Sequence, residues 1–180
     1  TFILSKFENL FSISQGKGFS NPTKEANLII KFVKDNNLNL KTIFDIGCFH
    51  GDYTFEILKK FPDSSYYLFE PDENNYDFIK KRYQKFENLK LFNIAISNKD
   101  EDGTLYSYGK GSLQGSLIDQ DFSHLKLINN VKQIVKVKRI DTLCNELNLE
   151  AIDLCKIDIE GNEMKSLIGM GEKIKKIKII

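Results

Sequence analysis

Four carboxylates stand at or beside the ends of short apolar runs in this 180-residue chain. Asp45 lies in Thr42-Ile-Phe-Asp-Ile, Glu70 follows Tyr66-Tyr-Leu-Phe69, and Asp158 and Glu160 fall near the end of the run Ile152 to Ile159. A carboxylate so placed has three uses: it attracts a cation, accepts hydrogen bonds from a diol, or takes a proton from a weak acid. Directly after Asp45 comes Gly47-Cys-Phe-His-Gly51, a Gly-x-x-x-Gly turn that lets the backbone approach a ligand and opens a helix. The dinucleotide fingerprint Gly-x-Gly-x-x-Gly is not met, because Phe49 occupies its middle glycine position.

Ligands of open α/β sheets bind beyond the carboxyl ends of the strands. A pyrophosphate beside Asp45 would meet a like charge, a repulsion of about 1 to 4 kcal/mol depending on screening. A ligand carrying an ammonium and a sulfonium would be attracted instead. Glu70 ends the next strand at about the interval from the glycine turn where a carboxylate grips a ribose diol. The three features together describe a site for S-adenosylmethionine better than one for NAD, and an NAD-dependent oxidoreductase stays as the alternative.

Methyl transfer from sulfonium to oxygen is an in-line displacement, favoured by holding acceptor, methyl and sulfur in a line. An aliphatic hydroxyl is a poor nucleophile near neutral pH, so a base or a metal should assist. Period-two alternation puts Lys156, Asp158 and Glu160 on one face while the strand stays extended. Asp158 is the first candidate for base or substrate orienter and Glu160 the second. His124, in a polar loop, is a third, since histidine is readily tuned near pH 7. No metal is expected, although Asp158, Glu160 and Glu163 around Gly161 offer oxygen ligands of the kind Mg²⁺ or Ca²⁺ takes. Plainer roles compete with these. Lys156 and Asp158 can form a simple ion pair, Glu163 can favour a helix N-terminus, and Asp52 can be an N-cap.

These residues need a scaffold, and the patterning supplies one. Asn21 and Pro22 open a helix that carries Leu28, Ile29, Phe32 and Val33 at helical spacing. A strand over Thr42–Ile46 leads through the glycine turn into a helix ending before Pro62. A strand over 66–69 is followed by a helix capped by Asp72, with Tyr76, Ile79, Tyr83 and Phe86 stepping by three and four. Further strands are expected over Leu89–Ile96, Ile152–Ile159 and from Ile174, with a helix from about Asn162 that carries Met164, Leu167 and Ile168 on one side. Strands alternating with helices imply βαβ units and a mostly parallel sheet with helices on both faces. Gly103 to Arg139 interrupts the pattern: GTLYSYG and IVKVKRI alternate apolar with polar as an antiparallel hairpin does, around a polar loop from Gly109 to His124 long enough to be a lid.

Composition sets the frame. Twenty-six basic against 25 acidic side chains give a formal charge of +1, which argues against a nucleic-acid-binding role. Only Arg82 and Arg139 are arginines, so bidentate phosphate clamps are scarce. DNA amino-methylation, which commonly uses a Pro-Pro-aromatic motif, is disfavoured because Pro22, Pro62 and Pro71 are never adjacent. Three cysteines without a CxxC pair suggest reduced thiols and a cytoplasmic setting. No apolar run approaches the roughly 18 residues of a membrane span. The expectation is one domain over residues 1–180, with an N-terminal helical segment to residue 40 and an α/β core from 41. The chain opens without Met and stops as a further core strand begins, so both ends are expected to be trimmed.

FDIGCFHGDYT, YLFEPDENNYDFI, LFNIAIS, VKRIDTL and IDLCKIDIEGNEMKSLIGM, in that order, resemble the FkbM family of S-adenosylmethionine-dependent methyltransferases from about Thr42 to Met170. KIDIEGNE is the most specific piece. The resemblance implies a Rossmann-like class I methyltransferase fold and methylation of hydroxyls, often on sugars, glycans or secondary metabolites. It further implies that Asp45, Gly47 and Gly51 hold the methionine end, Glu70 the ribose, and Asn93 to Ala95 flank the adenine. Phe49 stands where the family usually has Asn, and its ring could face the sulfonium, a cation–π contact of about 0.5 to 2 kcal/mol. A non-catalytic accessory subunit on the same fold is the alternative this departure suggests.

Overall fold

Asn21 accepts a hydrogen bond from the Lys24 amide (3.1 Å), and Pro22 occupies the first turn, so the opening helix α1 spans Pro22–Asp35. It buries Ala26, Ile30 and Val33, whereas Leu28 stays 41% exposed, contrary to the spacing-based expectation. The computed structural model describes residues 21–107, 115–119 and 131–180. The candidate base His124 lies outside them.

The core is an all-parallel sheet of five strands: β1 (Thr42–Ile46), β2 (Ser65–Phe69), β3 (Leu89–Phe92), β8 (Ile152–Ile157) and β9 (Ile177–Ile179), in the order β3-β2-β1-β8-β9. Its two faces feed separate apolar clusters. Ile43, Tyr66 and Leu68 pack with α1, α2 (Asp52–Leu58) and α3 (Glu73–Tyr83), while Phe44, Ile46, Tyr67 and Phe69 pack with α4 (Ile140–Glu146). Alternate residues of each central strand therefore serve opposite layers, which makes both faces apolar and the sheet parallel. The arrangement is the expected Rossmann-like α/β fold. Helix α4 is not among the expected elements, although Ile140, Leu143 and Cys144 have helical spacing and are all buried.

Three expectations are corrected. The run Leu89–Ile96 is not one strand: the chain leaves the core sheet after Phe92, and β4 (Ala95–Ile96) joins a second sheet. Asn93 marks the break, its Nδ2 donating to the carbonyls of Glu70 (2.9 Å) and Pro71 (3.0 Å). Residues Gly171–Lys176 form a 3-10 helix, so the strand expected from Ile174 begins at Ile177. Helix α5 (Glu163–Gly169) turns Ser166 and Gly169 inward and leaves Met164 and Ile168 67% and 59% exposed. Small residues win there because the backbone of Ser97 comes so close that a Cβ on Gly169 would lie 2.1 Å from its carbonyl oxygen.

The inserted hairpin is present. Strands β5 (Glu101–Ser107) and β7 (Val131–Lys138) pair antiparallel over seven residues, and β6 (Gly115–Ser116) and β4 complete a sheet ordered β4-β7-β5-β6. Among the described residues, no helix is long and apolar enough to cross a membrane.

Candidate active site

A cavity of about 470 Å³ opens at the carboxyl ends of β1, β2 and β8. Its floor is the turn Gly47–Phe49, the segment Glu70–Asp72 and the tip Asp158–Glu160. Ile94, Ala95 and Ile96 form one wall, Pro22 and Glu25 of α1 another, and Leu105, Ser107, Gly115 and Leu117 of the second sheet roof it. The insertion is thus part of the pocket rather than a peripheral ornament. Ser116 pins it down, its hydroxyl donating to the Glu160 carbonyl at 2.8 Å.

Glu70 is buried at the end of β2. Its Oε2 accepts from the Phe49 amide (2.9 Å) and its Oε1 from the Asp72 amide (3.0 Å). Burial pushes its pKa up to about 7, against the pull of those two backbone donors. Asp72 in turn caps α3, accepting from the amides of Asn74 (2.9 Å) and Asn75 (3.1 Å).

Asp45 does not line the cavity. Strand β1 continues through Ile46, so period two turns Asp45 toward the α1–α2 layer, where it is fully buried. Its Oδ2 accepts from the Thr54 hydroxyl (2.6 Å), and its Oδ1 faces Lys156 Nζ at 3.5 Å. Lys156, the register partner of Asp45 on β8, does line the cavity. Its Nζ donates to the Gly47 carbonyl (2.9 Å) and lies 3.5 Å from Asp158 Oδ2. Burial pulls the Lys156 pKa down, but Asp45 and Asp158 overcome it and hold the ammonium above its ordinary range. Lys156 and Asp158 therefore do share one side of the strand. Glu160 lies past the strand end with φ 53°, still at the cavity, its pKa raised by burial and by Asp158 and Glu163.

The two turn glycines serve the protein's own packing. Gly47 (φ 73°) lies against β8, where a Cβ would sit 2.0 Å from the Asp158 carbonyl oxygen. Gly51 (φ 79°) lies against Tyr83, where a Cβ would sit 2.7 Å from the ring, and is not a lining residue. Asn93 is likewise off the cavity wall, shaping it through Glu70 and Pro71, whereas Ala95 is on it. Phe49 lines the cavity in a left-handed conformation (φ 49°), with one face of its ring stacked on His50 at 3.8 Å. Glu163 accepts from the amides of Ile159 (3.0 Å) and Gly161 (3.2 Å), which makes it a brace for the turn. Among the described residues, no group of three or more His, Cys, Asp or Glu is placed to hold a metal ion.

Lys156 is a site residue that the sequence placed on the right face with no role beyond an ion pair with Asp158. Glu25 and Asn162 are further lining residues that the sequence did not mark. Asn162 is buried, donates from Nδ2 to the Ile96 carbonyl (2.9 Å), and leaves its Oδ1 without a partner. An acid-rich cavity with a buried carboxylate at one strand tip suits a ligand that is cationic and carries O–H or N–H donors.

The methyltransferase FkbM domain model matches residues 45–180. The chain is 30% identical over 148 residues to 2-O-methyltransferase NoeI of Sinorhizobium fredii, covering 77% of this chain and 60% of that protein. It is 26% identical over 153 residues to Methyltransferase 1 of Beauveria bassiana, covering 73% of this chain and 59% of that protein. The chain thus spans about 60% of the length of the curated relatives it matches.

Proposed function

The chain belongs to the FkbM methyltransferase family, and on that premise we propose that it transfers a methyl group from S-adenosylmethionine to a hydroxyl oxygen, with a sugar or glycan as the acceptor. The observation that carries the reading is Glu70, buried at the β2 tip on the amide of Phe49 and facing an acid-rich cavity. When bound, S-adenosylmethionine supplies an electrophilic methyl on a sulfonium. The residues fit it: Glu70 offers lone pairs to a ribose diol, and Glu25, Asp158 and Glu160 give a field that favours positive charge.

The remaining work falls to this chain. Leu105, Ser107 and Gly115 of β5 and β6 border the cavity, and Asp158, 46% exposed, is reachable by an acceptor hydroxyl. Asp158 orients that hydroxyl and takes its proton, with Glu160 as the second carboxylate in reach of the cavity. Ala95 and Ile94 offer an apolar wall to the adenine. The hydroxyl acceptor draws support from the Sinorhizobium relative, a 2-O-methyltransferase. Labelled S-adenosylmethionine incubated with the protein and a panel of saccharides tests the proposal. Transfer of label to a saccharide hydroxyl supports it, and binding of NAD in preference to S-adenosylhomocysteine overturns it.

A further inference from the structure

Lys156 is the one ammonium in the cavity wall among the described residues, and it stands among carboxylates. Its Nζ is 3.5 Å from Asp45 Oδ1 and 3.5 Å from Asp158 Oδ2, and its side chain is only 15% exposed. Glu25, across the cavity on α1, belongs to the same group: burial raises its pKa, Asp158 and Asp45 raise it further, and Lys156 opposes them. Two acids, Asp45 and Asp158, therefore share one buried cation, with Glu25 across the cavity in the same field. A lysine beside a pocket built for a positive ligand looks like a contradiction, since its charge repels what the acids attract.

The contradiction resolves when both partners of the exchange are considered. Methyl transfer breaks the bond from methyl carbon to sulfur, leaves the electron pair on sulfur and forms a carbon–oxygen bond. The hydroxyl proton passes to the Asp158 carboxylate, and the sulfur changes from a cationic sulfonium to a neutral thioether. A pocket with every acid uncompensated would hold the cationic donor far more tightly than the neutral product. We propose that Lys156 sets the balance between donor and product: placed between Asp45 and Asp158, it cancels part of the negative field at the β8 tip. Its contact with the Gly47 carbonyl (2.9 Å) fixes it there, tying the turn after β1 to β8. This is a specificity role, and it rests on the donor being S-adenosylmethionine.

Calorimetry with S-adenosylmethionine and S-adenosylhomocysteine, on the wild type and on Lys156→Met, Lys156→Arg and Asp158→Asn, tests it. The quantity read is the ratio of the two dissociation constants. A lost unit charge a few ångströms from the sulfur corresponds to about fivefold in that ratio even at a water-like dielectric, and to more in a drier site. Lys156→Met is expected to shift the ratio by that much toward the cationic donor, Lys156→Arg to keep the wild-type value, and Asp158→Asn to shift it the opposite way. General loosening of the fold would weaken both ligands and leave the ratio alone. Asp158 is half exposed, so its variant tests the charge argument even where Lys156→Met folds poorly. Unchanged ratios in Lys156→Met and Asp158→Asn, with the wild type binding both ligands, overturn the role of Lys156. Failure of the wild type to bind either ligand overturns the donor assignment itself.

Discussion

The amide of Phe49 donates to Glu70 Oε2 over 2.9 Å, so the turn after β1 and the tip of β2 are held by a single carboxylate. The other oxygen of that carboxylate holds the Asp72 amide at the start of α3. Glu70 is therefore a structural tie with lone pairs to spare, and its protonation matters twice. With a folded pKa of about 7 against an ordinary 4.5, the folded state keeps the proton where the unfolded chain has lost it. Stability contributed by this group falls as pH rises through that window, by up to about 1.4 kcal/mol per pH unit. Binding runs the other way, because a diol donates best to the ionised form. The affinity for S-adenosylhomocysteine is expected to rise as pH passes upward through the Glu70 pKa. Calorimetry over that range should show the rise in the wild type and a flat, weaker profile in Glu70→Gln, whose amide group must also face a backbone N–H.

The two glycines of the turn predict different penalties. An alanine at either position adopts a positive φ at a cost of about 1 to 2 kcal/mol. At Gly51 the new methyl meets the ring of Tyr83, a buried side chain rather than backbone, whose hydroxyl donates to the Gly51 carbonyl at 2.6 Å. At Gly47 it meets the Asp158 carbonyl, which is fixed because the Asp158 amide donates to the Ile46 carbonyl at 3.0 Å. Thermal melting should therefore show Gly47→Ala losing more stability than Gly51→Ala, with Gly47→Ala losing at least about 3 kcal/mol. Equal losses would mean that β8 can move away from β1.

Much of this was legible from residue types because the relevant rules are local. Asn21 with Pro22, and Asp72, announced their helices, and the alternation in β5 and β7 announced an antiparallel pair. Glu70 was legible because it follows the last strand residue. Asp45 was harder. The strand has the expected bounds Thr42–Ile46, but apolar patterning does not say which layer each residue of a buried strand faces, and Asp45 takes the α1–α2 side while Ile46 borders the cavity. The direction of α5 was illegible for another reason. Met164, Leu167 and Ile168 satisfy an apolar stripe, but close backbone approach at Ser97 demanded Gly169 and Ser166 instead. The roof was hidden because Leu105 and Leu117 meet the pocket only through a second sheet.

That approach carries its own prediction. The Ile96 carbonyl accepts two side-chain donors, Asn162 Nδ2 at 2.9 Å and Ser166 Oγ at 3.1 Å. Asn162→Asp replaces a donor by a carboxylate aimed at a buried carbonyl, an expected loss of about 1 to 3 kcal/mol in denaturant unfolding. Ser166→Ala leaves the carbonyl one donor and should cost no more than about 1.5 kcal/mol. The opposite ranking would show that the two donors are not equivalent partners of Ile96.

Asp153 offers the clearest test of acid stability. Its Oδ2 accepts from the amides of Lys41 (2.7 Å) and Thr42 (2.9 Å) at the start of β1, and its Oδ1 pairs with Lys178 of β9. Burial raises its pKa, but Lys178 and the two amides outweigh burial and hold it below the ordinary carboxylate value. A depressed acid stabilises the fold above its unfolded pKa, and that contribution is lost as pH falls through the folded one. The wild type is thus expected to lose stability on acidification below about pH 4, from this group among others. Asp153→Asn cannot titrate, and its Nδ2 cannot accept from either amide. Its stability should be lower than wild type near neutral pH, and the difference should narrow as the wild-type carboxylate takes up its proton. Urea unfolding of both proteins between neutral and acidic pH reads that difference directly, and a gap that stays constant would remove Asp153 from the acid response.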